Sequence, residues 1–277
     1  MFSIVIPTYN NLEYLKICLN SIRKNTVCEY EILIHVNDGS DGTLDYIKTQ
    51  NLKYTYSKEN IGLCSAINKV AKETIYKYIL YSHDDMYFCP GWDRILKDEI
   101  NSINSENFYL SGVMIQKKNG HINFDCGEDY NSFDEKKLLN NYKNLNCFDQ
   151  QGSHFAPHVI NKELWNKVNG FSEEFNPGIA SDPDFNMKLW NEGVRIFKGI
   201  SKFKVYHFGS ITTRKKKYLI KNKGEKIFLK KWKFSIAFFK KYYLKTNTKY
   251  NGPLVTPKKS FIYYYDLLIC KIKLLLT

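Results

Sequence analysis

The chain has 277 residues, 43% of them apolar, and 41 Lys and Arg against 28 Asp and Glu give a formal net charge of +13. This is enough apolar mass to bury a large core, which excludes a disordered chain. Seven cysteines without a C-x-x-C pair, several of them (Cys18, Cys64, Cys270) inside apolar runs, exclude a disulfide framework and a zinc cluster and point to a reducing, cytoplasmic setting.

The start, MFSIVIPTYN, lacks the basic opening and long apolar run of a signal peptide. No run approaches the roughly 18 apolar residues of a membrane span. A soluble protein, or one lying on a surface, is expected. The charge is uneven: residues 211–277 hold 18 Lys and Arg against 2 acids, leaving 23 basic and 26 acidic residues in the first 210.

FSIVIP predicts a strand, and Leu12, Leu15, Leu19 and Ile22 then recur at helical spacing with Asn10 or Asn11 as N-cap. The pattern repeats three times. EILIHV precedes the turn NDGSDG and a helix near TLDYIK; YTYS precedes KENIG and a helix through AINKVAKE; YKYILYS precedes HDDMYFCPGW and a helix through DRILKDEI. Four such units imply a doubly wound α/β sheet, mostly parallel. In that architecture the turns TYNN, NDGSDG, KENIG and HDD leave the carboxyl ends of their strands along one edge, where ligands bind.

FYLSGVMIQ and KNGHINF then predict a hairpin through Asn119 and Gly120, followed by a polar stretch from about 125 to 150 whose length suggests a functional loop. NKELWNKV and SDPDFNMKLWNEG predict helices, the second with Asp182 as N-cap and Gly193 at its end. As a cap, Asp182 would accept backbone N–H bonds and hold a depressed pKa. VRIFKG and FKVYHFGS predict two strands. From Thr212 the composition turns to interleaved Lys, Phe and Tyr, which places a boundary near Ile211.

Taken singly, Asp84 and Asp85 suit a turn, Asp38 and Asp41 a tight glycine turn, and His83, His154, His158 and His207 structural positions. At a strand's carboxyl end, however, a carboxylate can share a hard cation with phosphate oxygens. A dinucleotide G-x-G-x-x-G after the first strand, a Walker loop and a G-x-S-x-G elbow are absent from the sequence. A phosphate-bearing ligand would therefore need a metal or side chains rather than a glycine cradle.

In order, SIVIPTYNN, EILIHVNDGSDGT, ENIGLCSAIN, YILYSHDDMYFCPGW and ELWNKVNGFSEEF with SDPDFNMKLWNEGVRIF resemble glycosyltransferase family 2, the inverting nucleotide-sugar transferases of GT-A fold. The resemblance covers about residues 2 to 210 and implies a catalytic domain over 1–210, with 211–277 as a basic, aromatic extension. It implies that Thr8, Tyr9 and Asp38 hold the donor's base and ribose and that Asn60 lies near the donor. HDD occupies the D-x-D slot, so Asp85 matches the metal-binding aspartate and Asp84 the residue facing ribose or a metal-bound water. Asp182 matches the general base, and His207 lies where related enzymes place a histidine near metal and diphosphate. Four positions depart from the pattern: Asn37 and His83 replace acids, Ser181 replaces a glutamate, and Asn169 replaces a glycine. Ser181 leaves both Asp182 and Asp184 open as the base.

The implied activity is metal-dependent transfer of a sugar, of the hexosyltransferase class, from a UDP-, GDP- or dTDP-sugar to a glycan or glycolipid hydroxyl. The cofactor would be Mn²⁺ or Mg²⁺ and the setting surface polysaccharide or lipopolysaccharide assembly. The tail, with RKKK, LKKWKFSIAFFKKYYLK and SFIYYYDLLICKIKLLL, suits either an anionic membrane surface on the cytoplasmic face or a helical cap on the domain. Two rival readings are a sugar-nucleotide binder without turnover and a nucleic-acid-binding protein using the tail. The acidic turns of the first 210 residues weigh against nucleic acid, because carboxylates repel phosphate.

Overall fold

The computed structural model describes residues 1–209 and 223–276. A ten-stranded mixed sheet runs through it, flanked by helices. The first four strands are β1 (Phe2–Tyr9), β2 (Tyr30–Asn37), β3 (Lys53–Ser57) and β4 (Tyr78–Tyr81), in spatial order β3-β2-β1-β4 and all parallel. β1 is central and seven of its eight residues are buried, which is why FSIVIPTY reads as an unbroken apolar run. The connecting helices are α1 (Leu12–Asn25), α2 (Thr43–Thr49) and α3 (Leu63–Ala71). On α1 the buried face includes Leu15, Cys18, Leu19 and Ile22, at the spacing the sequence showed.

Beyond β4 the sheet becomes mixed. β5 (Met86–Phe88) and α4 (Trp92–Ser102) precede β6 (Phe108–Gln116), and the short β7 (Ile122–Asn123) lies beside β6. The expected hairpin at Asn119 and Gly120 does not form: β7 pairs with β6 in parallel, and His121 Nδ1 accepts the Met114 N–H at 3.0 Å in place of a ladder bond. The 125–150 stretch contains α5 (Glu135–Asn141), whose cap Asp134 accepts the Lys137 N–H at 2.8 Å. β8 (Gln150–Gln151), β9 (His158–Asn161) and α6 (Lys162–Lys167) follow. β9 runs antiparallel between β4 and β6.

α7 (Ser181–Asn191) leads to β10 (Ile196–His207), a single strand where two were expected. Its register against β6 breaks between Ile200 and Lys204, and that bulge produced the turn-like gap in the sequence. β5 pairs antiparallel with the end of β10, setting His207 opposite Met86.

α8 (Lys223–Trp232), α9 (Ile236–Phe239, continued as a π-turn to Leu244) and α10 (Phe261–Leu275) form the C-terminal segment. Phe228, Phe238, Phe239, Leu244, Tyr263 and Cys270 join the same hydrophobic cluster as β1 and β4. The segment is thus packed on the sheet domain through a shared core. The expected boundary near Ile211 and the RKKK run lie outside the described residues.

Candidate active site

The parallel ends of β1, β2 and β4 bring the first, second and fourth turns together, as their strand order requires. Thr8, buried near the end of β1, donates from Oγ1 to Asp84 Oδ2 at 2.6 Å, and Asn11 Nδ2 donates to Asp84 Oδ1 at 3.0 Å. Both oxygens of Asp84 are therefore held by the first turn. Burial, reinforced by the neighbouring Asp85, raises the Asp84 pKa against the effect of these two bonds. Asn11 occupies the N-cap position of α1 but its side chain caps nothing there. Asp41 serves instead: one carboxylate oxygen accepts the Leu12 N–H at 3.0 Å and the other accepts the Thr43 N–H at 3.1 Å, clamping two helix starts together.

Asp38 has a left-handed backbone, φ 64°, and accepts Asn10 Nδ2 at 2.8 Å and the Ser40 N–H at 3.2 Å. Those bonds, Asn10 first, hold its pKa below the usual range, so a permanent acceptor stands at this edge. Asn37, in place of an acid, accepts the Ile61 N–H at 3.0 Å and ties the second turn to the third. Asn60 is exposed and folds back to accept the Gly62 N–H at 2.9 Å, so it shapes its own turn. Gly62 has φ 85°, and a Cβ there would collide with the Asn176 amide that accepts the Cys64 N–H at 2.9 Å. Tyr9 closes β1 and is partly exposed.

Asp85, His83 and His207 form a second group. One ligand atom from each lies within 4.8 Å of the other two. His207 Nε2 is 3.2 Å from Asp85 Oδ1, and His83 Nδ1 is 3.9 Å from the same oxygen. The antiparallel β5–β10 pairing delivers His207 here, while Gln116, at the end of β6, hydrogen-bonds its Nδ1. To ligate a cation through Nε2, His207 would carry its proton on Nδ1, with the Gln116 amide turned so that its oxygen accepts it. Burial lowers the His83 pKa to about 4, with Asp85 opposing, so the imidazole is neutral at neutral pH. One carboxylate oxygen and two imidazole nitrogens fit a single divalent cation with coordination positions left over.

α7 carries the third group. Its helix begins at Ser181 behind Ala180, which is left-handed at φ 67°. Ser181 Oγ donates to the Gly178 carbonyl at 2.7 Å, closing the entry turn. Asp182 lies inside the first turn and is not the cap. Its carboxylate has no hydrogen-bond donor among the described residues, and burial pushes its pKa up to about 7, opposed by the Lys240 ammonium. The expected depression is reversed because the cap bonds that would have caused it do not exist.

Asp184, two residues further, is 0% exposed and fully engaged: it accepts from Ser172 Oγ at 2.6 Å and from Trp232 Nε1 at 2.8 Å and pairs with Lys231 Nζ at 2.9 Å. The choice the sequence left open is thereby narrowed, because Asp182 alone keeps a carboxylate unbonded. Tyr81, buried between the groups, has its phenol pushed well up by burial and then by the charges of Asp182 and Asp84 among others. Its hydroxyl has no hydrogen-bond partner among the described residues.

Several of these residues escaped the sequence reading. Asn10 and Asn11 were visible only as N-cap candidates, and Gln116 required the β6–β10 register. Lys231, Trp232 and Lys240 come from the C-terminal segment, where no local signal ties a lysine to an aspartate far along the chain. His158 packs among Tyr81, Tyr109 and Phe185 as a buried ring, in agreement with the structural reading of a lone histidine.

The family model for glycosyl transferase family 2 matches residues 3–163, more than half of the chain. The chain belongs to glycosyltransferase family 2. It is 32% identical over 138 residues to an uncharacterized glycosyltransferase of Rickettsia bellii, a match covering 47% of this chain and 19% of that relative. It thus spans a minor part of that relative's length. S. aureus TarS, residues 1–349, superposes with TM-score 0.54 at 18% identity over 74% of this chain and 60% of the other. The mannosyltransferase PcManGT of Pyrobaculum calidifontis, solved with GDP-Man and Mn²⁺, gives TM-score 0.52 at 14% identity over 74% and 56%. These likenesses establish a GT-A glycosyltransferase fold for the family 2 chain.

Proposed function

We propose that this glycosyltransferase moves a hexosyl group from a UDP-, GDP- or dTDP-sugar to a hydroxyl of a glycan or glycolipid, with inversion, in surface polysaccharide or lipopolysaccharide assembly. The division on α7 carries this reading: Asp184 is consumed by three partners while Asp182 presents an unbonded carboxylate with a pKa of about 7. Such a group is matched to taking a proton at neutral pH. Asp182 accepts the proton of the acceptor hydroxyl as that oxygen bonds to the anomeric carbon, and the bond from that carbon to the diphosphate oxygen breaks. The nucleoside diphosphate leaves from the opposite face, so one displacement inverts the configuration and needs no second carboxylate as nucleophile.

Asp38, a permanent acceptor, binds a donor hydroxyl, with Thr8 and Tyr9 around the base and ribose, Asn60 near the donor, and Asp84 held toward the ribose side by Thr8 and Asn11. Asp85, His207 and His83 would hold the cation, and their mixed nitrogen and oxygen donors favour Mn²⁺ over Mg²⁺. When bound, it supplies positive charge against the diphosphate. A nucleotide-sugar donor accords with the complexes of TarS with UDP-GlcNAc and of PcManGT with GDP-Man.

A thermal-shift panel of UDP-, GDP- and dTDP-sugars with Mn²⁺ or EDTA tests the donor. One sugar nucleotide near a hundredfold its Kd should raise Tm by roughly 5–10 °C with Mn²⁺. EDTA or Asp85→Asn should remove that rise. Stabilisation by none of them with Mn²⁺ present would overturn the donor assignment.

A further inference from the structure

The helix α10 (Phe261–Leu275) is packed by one narrow face and leaves another uncovered. Tyr263 and Cys270 are buried and Asp266, Leu267 and Leu274 partly so, the stripe that docks it on the core. The opposite face is apolar and open: Phe261 is 86% exposed, Tyr265 56% and Ile272 49%, with Tyr264, Leu268 and Leu275 also exposed. At about 100° per residue these side chains, together with the exposed Ile262, cover an arc of roughly 160°. Lys271 lies at one border of that arc and Lys273 at the other, both exposed, and the exposed Lys258 and Lys259 immediately precede the helix. Asp266 is the one acidic residue on the helix, and it faces away from the arc into pairing with Lys241 at 2.7 Å and the Tyr242 hydroxyl at 2.6 Å.

We propose that this face of α10 seats the protein on an anionic lipid bilayer, lying in the plane of the headgroups. An apolar arc bordered on both sides by lysines is the cross-section of an interfacial helix: the aliphatic and aromatic groups enter the acyl boundary while the ammonium groups reach lipid phosphates. Tyr264 and Tyr265 suit the headgroup level, where a ring can be buried and its hydroxyl kept wet. The charge pattern also disfavours a second copy as the occupant. A two-fold pairing of this face would bring the bordering lysines of one copy toward those of the other. Among the described residues no helix is long and apolar enough to cross a membrane, so the contact is with one surface. The inference does not depend on the transfer reaction.

Sedimentation of the intact chain with vesicles of phosphatidylcholine, with and without phosphatidylglycerol, decides it. The protein should pellet with the anionic vesicles at low salt and stay in the supernatant with pure phosphatidylcholine. The double substitution Leu268→Glu and Ile272→Glu changes exposed positions only, and it should lower partitioning roughly tenfold or more while leaving the circular dichroism spectrum and Tm unchanged. Lys271→Glu with Lys273→Glu should lower it in a salt-dependent way. Absence of the wild-type chain from the anionic pellet, or equal pelleting of wild type and the Leu268/Ile272 variant, would overturn the proposal. So would a dimer by light scattering that the same variant dissociates.

Discussion

Substituting Asp182→Asn should make the protein more stable at pH 8 and remove transfer. In the folded chain this carboxyl titrates at about 7 rather than 3.8, so the native state holds its proton more tightly than the unfolded state does. The sign follows: below the unfolded value both states are protonated and the site costs nothing, the cost grows as pH rises from 3.8, and it is complete above about 7. A displacement from 3.8 to about 7 sets an upper limit of about 4 kcal/mol at 1.36 kcal/mol per decade. Because the residue is partly exposed and Lys240 opposes the penalty, about 1–2 kcal/mol is the realistic gain from an uncharged isostere. For a chain of this size that is about 2–6 °C in Tm at pH 8, vanishing near pH 4.

Transfer should respond in the opposite sense. Wild-type kcat/KM should rise about tenfold per pH unit below 7 and level off above it, since the carboxylate is about one-tenth ionised at pH 6. Asp182→Asn should lower kcat by about 10²- to 10⁴-fold with donor binding retained. The assays are scanning calorimetry of the free protein across pH and initial-rate transfer over the same range. A variant less stable than wild type at pH 8, or a flat wild-type rate profile from pH 5.5 to 8, would refute the assignment of Asp182 as a strained base.

Lys240→Met should move the acidic limb of the kcat/KM profile to higher pH, because the ammonium lowers the Asp182 pKa, and Lys240→Arg should restore it; an unmoved limb in initial-rate measurements would remove Lys240 from the site. Trp232→Phe takes one donor from a fully buried carboxylate and should cost about 1–3 kcal/mol in urea unfolding, whereas a surface tryptophan would cost nearly nothing.

The four convergent turns were legible because each follows a β-rich run, rich in Val, Ile or Leu in the first, second and fourth and in Tyr and Thr in the third, and a parallel sheet leaves such turns no other edge to occupy. Asp85 and His207, read singly, suited a turn and a structural position, and only the family resemblance marked them as residues near a metal. Asp182 was legible by position but not by environment. The left-handed Ala180 starts the helix two residues before the predicted first turn, which moves Asp182 from a capping site into an unbonded one. The β10 bulge and the parallel β6–β7 pairing were hidden because Gly199, Ser201 and Asn119–Gly120 are turn residues in local sequence, and long-range register overrode them.

The net charge of +13 misdirects most if read as one anion-binding patch. In the folded chain the C-terminal lysines divide among separate tasks. Lys231 pairs with Glu174 and Asp184, Lys240 lies within electrostatic reach of Asp182, Lys241 offsets Asp266, and Lys271 and Lys273 border the open face of α10. The first two of these act on the same helix turn with opposite effect. Lys231, with Trp232, fixes one aspartate as an ion-paired anchor, while Lys240 leaves the other unbonded and offsets part of its burial cost. Two carboxylates two residues apart on α7 thus acquire different chemistry from a segment that follows them in sequence, which is why the first 210 residues alone could not rank them.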